Sequence, residues 1–472
     1  MSSTESELDL ERERLLAELL ADEGVDEPAG IGPRSAADAV PVTFAQEVLW
    51  LLDRSTPGMS AYNTPLARRI RGALDVPALE RALNGLVERH EALRTVFQAS
   101  GDGATQVVQP VARVTLAVHD VRSAGMDGRE QAALHALRAV ADTPFDLALQ
   151  PGFRAALARL DDHEHILLLL THHIVSDAWS YGVLLRELSA LYEAAVSGGP
   201  HALPAPALQL GDYAAWQRAS ANAGAIDQGL QYWRARLDGA PSLELPTDFP
   251  RPVSQGFDGA RGSVTLSREL QDKIRALAQQ HGATVYMVLL AAYATVLHRY
   301  APQDEVMVGS AGAGRTRREL EDIVGYFSQA LPMRVRFENE PTFGQLLASV
   351  RDTVLGAFEH QDTPLESIVL ELQRGRTQSH APLFRVVLTM QDLLGTDLQI
   401  ANATVSPVEL DQSSTKFDLT LLATERSEGL ELSLWYRTDL FAARYADRFL
   451  GHLQAVLTSA VTDHTTRIAE IP

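Results

Sequence analysis

Apolar positions recur along the chain with two periods, and their alternation outlines the elements. In residues 7–23, ELDLERERLLAELLADE, Leu8, Leu15, Leu16, Leu19 and Leu20 fall on one helical face, and Gly24 ends the pattern. A stretch rich in Pro, Gly and Ala runs on to about Val40. Residues 1–40 therefore read as an N-terminal amphipathic helix and linker, a tether or packing helix, with a docking element as the second reading. Helical periodicity returns in FAQEVLWLLDR (44–54) and PALERALNGLVERHEALRTVF (77–97). RAALARL (154–160) and HILLLL (165–170) are short apolar runs of strand length, and DDHEH (161–165) between them reads as a solvated hairpin turn. SYGVLLRELSALYEAAVSG (180–198) is a helix with Leu184, Leu185, Leu188 and Leu191 on its apolar side and Gly198 at its end.

Two breaks follow, the Pro-rich HALPAPALQLGDYAAW (201–216) and LDGAPSLELPTDFPRP (237–252), whose four prolines mark a crossing between halves. Beyond it the mixed pattern repeats. Residues 272–300 are largely helical, 305–314, 332–337, 384–390 and 430–436 read as strands, and 442–461 form a closing helix. The pattern predicts a pseudo-duplicated α+β architecture, with residues 41–222 as the first half and 223–472 as the second.

The 472 residues suffice for two to four domains, and 46% hydrophobic with 22% charged residues is a globular composition. The longest apolar stretch, residues 285–297, falls short of the about 20 residues a membrane helix needs. The N-terminus is acidic and lacks a signal-peptide layout, so a cytoplasmic location without membrane contact is expected. There are no cysteines, which excludes disulfide and thiolate chemistry. A net charge of −20 argues against a nucleic-acid partner. Lys273 and Lys416 are the only lysines, leaving few candidates for a Schiff base.

Three chemistries can be weighed and set aside. His163, His165, His172 and His173 cluster in sequence, but the two pairs flank an apparent strand. At roughly 3.3 Å per residue they end up about 20 Å apart, too far to share a metal. GSAGAGRT (309–316) has phosphate-loop spacing, yet Arg315 stands where lysine belongs, and the glycines suit a tight turn. No G-x-S-x-G elbow offers a nucleophile. There remains THHIVSDAWS (171–180). Adjacent residues at a strand end point to opposite sides, so one of His172 and His173 faces a given cavity and the other is buried. Asp177 stands where it can cap a helix or pair with an arginine. A lone imidazole with no protein nucleophile suits proton removal from a substrate amine or alcohol as it attacks an activated acyl group.

HHIVSDAWS resembles the HHxxxDGxS signature of nonribosomal peptide synthetase condensation domains. TFAQEVLWLLDR (43–54), RHEALRTVF (89–97), GDYAAWQR (211–218), VGYFSQALPMR (324–334), HQDTPLE (360–366) and APLFRVVLTMQD (381–392) are similar, in order, to that family's other motifs. The likeness runs from about residue 40 to the final RIAEIP, which suits a free-standing enzyme or the first domain of a longer synthetase.

This resemblance implies two chloramphenicol-acetyltransferase-like lobes in a V. A tunnel between them is entered by donor and acceptor carrier proteins bearing substrates on phosphopantetheine arms. No cofactor or metal belongs to the chain itself, and a monomer is expected. His173 matches the cavity-facing histidine, acting as general base or holding the attacking amine. His172 matches the structural histidine. Asp177 matches a buried acid paired with arginine, for which Arg94 is the expected partner. Ser180, Trp216, Arg315 and Gln329 are expected along the tunnel. Two departures from the family pattern are Ala178, where it has glycine, and Gln329, where it has asparagine; both allow for an unusual substrate or an ester product. The residues around the histidines depart from the epimerisation and heterocyclisation patterns, and His173 is present where non-catalytic recruiting domains tend to lose it. A catalytically idle module that docks carrier proteins or a tailoring enzyme is the alternative.

Overall fold

The structure, a computed structural model, describes residues 30–35, 39–101, 103–222, 224, 226–252, 256–373, 383–391, 398–410 and 414–472. The amphipathic helix over 7–23 and part of the linker lie outside these residues.

In the first half the strands are β1 (Val40–Pro41), β2 (Asn63–Gly72), β3 (Thr95–Ser100), β4 (Gly103–Val108), β5 (Ala117–Asp120), β6 (Phe153–Arg159) and β7 (Glu164–His172). The helices are α1 (Phe44–Ser55), α2 (Val76–Arg89), α3 (Arg129–Ala141), α4 (Ala178–Ser197) and α5 (Leu210–Asn222). The second half begins with α6 (Asp227–Leu237), β8 (Gly259–Ser267), α7 (Arg268–Gln280), α8 (Val285–Tyr300), β9 (Glu305–Gly312) and β10 (Gln329–Arg336). It continues with α9 (Phe343–Glu359), α10 (Leu365–Gln373), β11 (Val386–Gln391), β12 (Ala403–Val408), β13 (Leu419–Arg426), β14 (Gly429–Arg437) and α11 (Ala443–Thr462).

Two large sheets organise these elements. One has the order β12-β2-β7-β6-β5, the other β10-β9-β11-β13-β14-β8, and β1-β4-β3 form a small third sheet. Each large sheet has its own apolar core. α2 and α4 pack the first, and the almost wholly buried α8 with α11 packs the second. The mixed α+β class read from the sequence is what the chain adopts.

Three expectations need correction. The helix over 77–97 stops at Arg89. A 3-10 turn (Glu91–Arg94) follows and then β3, because Arg89 and His90 both turn onto the Glu187 carboxylate of α4, and Thr95, Val96 and Phe97 suit a buried strand. The helical stretch over 272–300 is two helices at 102°, broken at Gly282 (φ +57), with Thr284 capping the second. Finally, residues after 222 do not build only the second half. β12 pairs with β2 from Ala403 opposite Gly72 to Val408 opposite Ala67, and Leu320, Ile323, Val324, Phe327, Leu398 and Ile400 belong to the first core. Gly72 makes that pairing possible: at φ +140, a Cβ there would sit 2.4 Å from the Asn402 carbonyl oxygen.

Candidate active site

β7 is the central strand of the first sheet, hydrogen-bonded to β2 on one side and β6 on the other, and buried from His165 to His172. At its end the chain divides its backbone bonds. The His172 amide donates to the Gly152 carbonyl beside β6 (2.8 Å), and the His173 amide donates to the Tyr62 carbonyl beside β2 (2.8 Å). The two rings are thereby turned apart, as the strand period requires. His173 opens a 3-10 turn (His173–Val175), and Asp177 caps α4.

His172 is buried, with Tyr62 and Phe145 as ring neighbours, and its Nδ1 accepts from the Ile174 amide (3.2 Å). Burial first, then the charges of His173 and Lys416, hold its pKa at about 3. His173 is half-buried. Its Nδ1 lies 2.7 Å from the Ser176 carbonyl. A carbonyl only accepts, so Nδ1 carries the proton and Nε2 keeps its lone pair. Burial, then Lys416, lowers its pKa to about 3 against the opposing pull of the Ser176 carbonyl. The Tyr326 ring stands 4.5 Å from the His173 ring.

Asp177 has no such freedom. Oδ1 accepts from the amide (2.9 Å) and hydroxyl (2.8 Å) of Ser180; Oδ2 accepts from Arg315 Nη1 (2.7 Å) and the Phe327 amide (3.1 Å). These bonds fill both oxygens, and none goes to a histidine. The pair is fully buried, with side-chain exposures of 1% for Arg315 and 0% for Asp177. Arg94 is not the partner: it ends the 3-10 turn before β3, and its Nη1 donates to the Gln109 carbonyl (2.6 Å). The partner comes 138 positions later in sequence, because the segment after β9 crosses onto the first core. Gly314 (φ +65) allows that turn, since a Cβ there would lie 2.0 Å from the Phe327 carbonyl oxygen. The phosphate-loop-like stretch thus serves to deliver Arg315.

A cavity of about 640 Å³ opens between the halves, walled by α1, Tyr62 and His173 from the first and by β10, β11, β13 and their flanking loops from the second. Of the four residues expected along a tunnel, Gln329 is on this wall. In the orientation that satisfies its amide, it donates to the Gln361 (3.0 Å) and Thr363 (3.3 Å) carbonyls. Ser180, Trp216 and Arg315 are not on the wall. Ser180 and Arg315 are consumed by Asp177, and Trp216 packs on Tyr213 and under Arg317. Ala178 is the first residue of α4 and exposed, a helical position that alanine suits as well as glycine.

Sequence reasoning missed Tyr62, Tyr326, Glu366 and Lys416, all on the wall. Tyr326 falls inside VGYFSQALPMR and Glu366 ends HQDTPLE, two stretches that carry the resemblance. Lys416 was marked only by the rarity of lysine. His163 and His165 stand at the opposite end of β7 from His172 and His173, and among the described residues no group of three or more His, Asp or Glu could hold a metal. No single helix among them is long and apolar enough to cross a membrane.

A family model described as "Condensation domain" matches residues 36–472. A linear gramicidin synthase of Brevibacillus parabrevis is 39% identical over 443 residues, which is 93% of this chain and 9% of that relative. The chain thus spans under a tenth of its length. The X-domain from teicoplanin biosynthesis superposes with a TM-score of 0.85 at 27% identity, covering 94% of this chain and 100% of that one. The first condensation domain of the calcium-dependent antibiotic synthetase, solved with a substrate analogue, gives a TM-score of 0.76 at 21% identity, covering 92% and 99%.

Proposed function

The chain belongs to the condensation-domain family, and from that premise we propose that it transfers a carrier-bound acyl or peptidyl thioester onto the amine of an acceptor, forming an amide. A hydroxyl acceptor, giving an ester, follows the same path. The two halves act as acetyltransferase-like lobes set in a V, and the cavity is the middle of the tunnel between them. Donor and acceptor arrive on the phosphopantetheine arms of carrier proteins. The chain acts as a monomer.

The observation that carries this reading is the state of His173. Its Nδ1 proton is held by the Ser176 carbonyl, and its lone pair at Nε2 is free on the cavity wall. An imidazole held near 3 is neutral at pH 7. It is a weak proton store, so its main task is to accept a hydrogen bond from the attacking amine and fix it against the thioester carbonyl. As the C–N bond forms, the amine proton passes toward Nε2, and the departing thiolate takes it when the C–S bond breaks. Asp177, with every lone pair engaged by Arg315, Ser180 and Phe327, holds the loop and takes no proton.

His173→Ala is expected to abolish transfer without unfolding. The test is intact-protein mass spectrometry. Donor carrier proteins loaded with acyl and aminoacyl groups are mixed with amine and alcohol acceptors, free and carrier-bound. Transfer by wild type alone supports the reading, and the successful pair identifies amide or ester. A His173→Ala chain with near-normal rates removes the histidine's role. Carrier binding without transfer by wild type favours an idle docking module.

A further inference from the structure

Lys416 is one of two lysines in the chain, and it lies in the wall of the cavity that holds His173. Its ammonium stands 4.6 Å over the Tyr62 ring, and the carbonyl of Tyr62 anchors the His173 amide. Lys416 is the charge His173 registers next after burial, and His172 registers it after burial and His173. The cavity is otherwise largely apolar, with Phe384, Val387, Phe417, Leu422 and Trp435 among its walls. Burial lowers the ammonium pKa to about 8, so the group still carries its proton at pH 7. A cation in such a setting acts strongly on any charge that develops near it.

We propose that Lys416 is a second catalytic group of this cavity, the cation that faces the oxyanion formed when the acceptor attacks the donor carbonyl. This rests on the acyl-transfer reading above. The nitrogen lone pair forms the C–N bond, and the carbonyl π pair moves onto oxygen. Collapse of that oxyanion breaks the C–S bond, and the thiolate leaves with the amine proton. Nε2 of His173 is engaged with the attacking nitrogen and the proton it gives up for the departing thiolate, so the oxyanion draws on a positive or hydrogen-bond-donating group from elsewhere. Lys416 supplies one. Glu366, the other ionisable group on the wall besides the tyrosines and His173, has its pKa raised by burial and offers no positive charge in either protonation state.

The structural role that competes with this is packing over Tyr62. Three variants separate the two: Lys416→Met keeps the stem without charge, Lys416→Gln keeps a polar tip, and Lys416→Arg keeps charge. Single-turnover transfer would be followed on the full chain, using whichever loaded carrier and acceptor the wild type turns over. Melting and carrier binding would be measured alongside. The proposal expects a fall of about 100- to 1000-fold in the saturating rate for the Met and Gln variants, with unchanged half-saturation, and recovery to within about tenfold for the Arg variant. Met or Gln variants that transfer within about threefold of wild type would overturn it. So would a loss confined to half-saturation, which would make Lys416 an anchor for a substrate side chain. If Met fails to fold, Gln and Arg carry the same comparison. Wild type that binds carriers yet transfers no acyl group removes the reaction and this role together, a result distinct from transfer that ignores Lys416.

Discussion

His172 and His173 are kept neutral at one strand end by burial, with Lys416 adding to it. This has a consequence for stability with a definite sign. In the unfolded chain each imidazole titrates near 6.5, whereas in the folded chain both are held at about 3. The folded state therefore has its full stability above about pH 6.5 and loses it as pH falls toward 3, because only the unfolded chain binds the protons. The slope is about 1.4 kcal/mol per pH unit for each histidine below its unfolded pKa. His165 and His281 are lowered by burial too, so the measured slope is shared. Urea denaturation between pH 7.5 and 5 should show stability falling with acidity, less steeply in His172→Gln. An unchanged slope in that variant would mean His172 is not held neutral. Transfer itself should show no acid limb near pH 6.5, provided the acceptor amine has a low pKa of its own.

The element that makes the site is the turn from β7 into α4, closed from outside by the segment that runs from Gly314 to Phe327. Helix α4 was legible in sequence from its leucines, Gly198 and Asp177, and β6 and β7 from their apolar runs. β2 and β12 were not legible. NTPLARRIRG carries three arginines and a proline, and ATVSPV reads as loop until β2 supplies its partner. The Asp177 partner was not legible either, because Arg94 and Arg315 are equally arginines in a one-dimensional pattern. Only the fold brings Arg315 to 2.7 Å. The two differ in consequence. Arg315→Met strands a buried carboxylate, and should cost about 3–5 kcal/mol in urea denaturation. Arg94→Met removes the bond to the Gln109 carbonyl, worth about 1 kcal/mol. Equal losses would refute the assignment of the pair. Adding Asp177→Leu to Arg315→Met should recover part of the loss, since it removes the uncompensated charge.

At the scale of the molecule, the two halves are similar in kind but not independent. The second half lends β12 to the first sheet and residues 320–327 to the first core. Beside the Asp177–Arg315 pair, the Gly325 amide donates to the Ser180 hydroxyl (3.1 Å), the Trp179 indole to the Glu321 carbonyl (2.8 Å), and Arg186 pairs with Asp322 (2.6 Å). These links converge on α4, the helix that follows the histidines, so the site's geometry depends on the junction. A fragment of residues 41–222 would lack them all. Its β2 would be an open edge with unpaired backbone groups, a surface prone to pairing with other chains. Asp177 would lose its guanidinium, and Leu320, Ile323, Val324 and Phe327 would leave gaps in the first core. That fragment is expected to aggregate or to lack sharp amide dispersion, while the full chain unfolds in one transition by circular dichroism and by Trp fluorescence. A soluble, well-dispersed fragment, or two separated transitions in the full chain, would show that each half folds alone and that the junction only positions the site. The coupling predicted here instead makes the cavity wall and the fold of the first half one cooperative unit, so that opening the junction would release Arg315 from Asp177 and slacken the turn that carries His173.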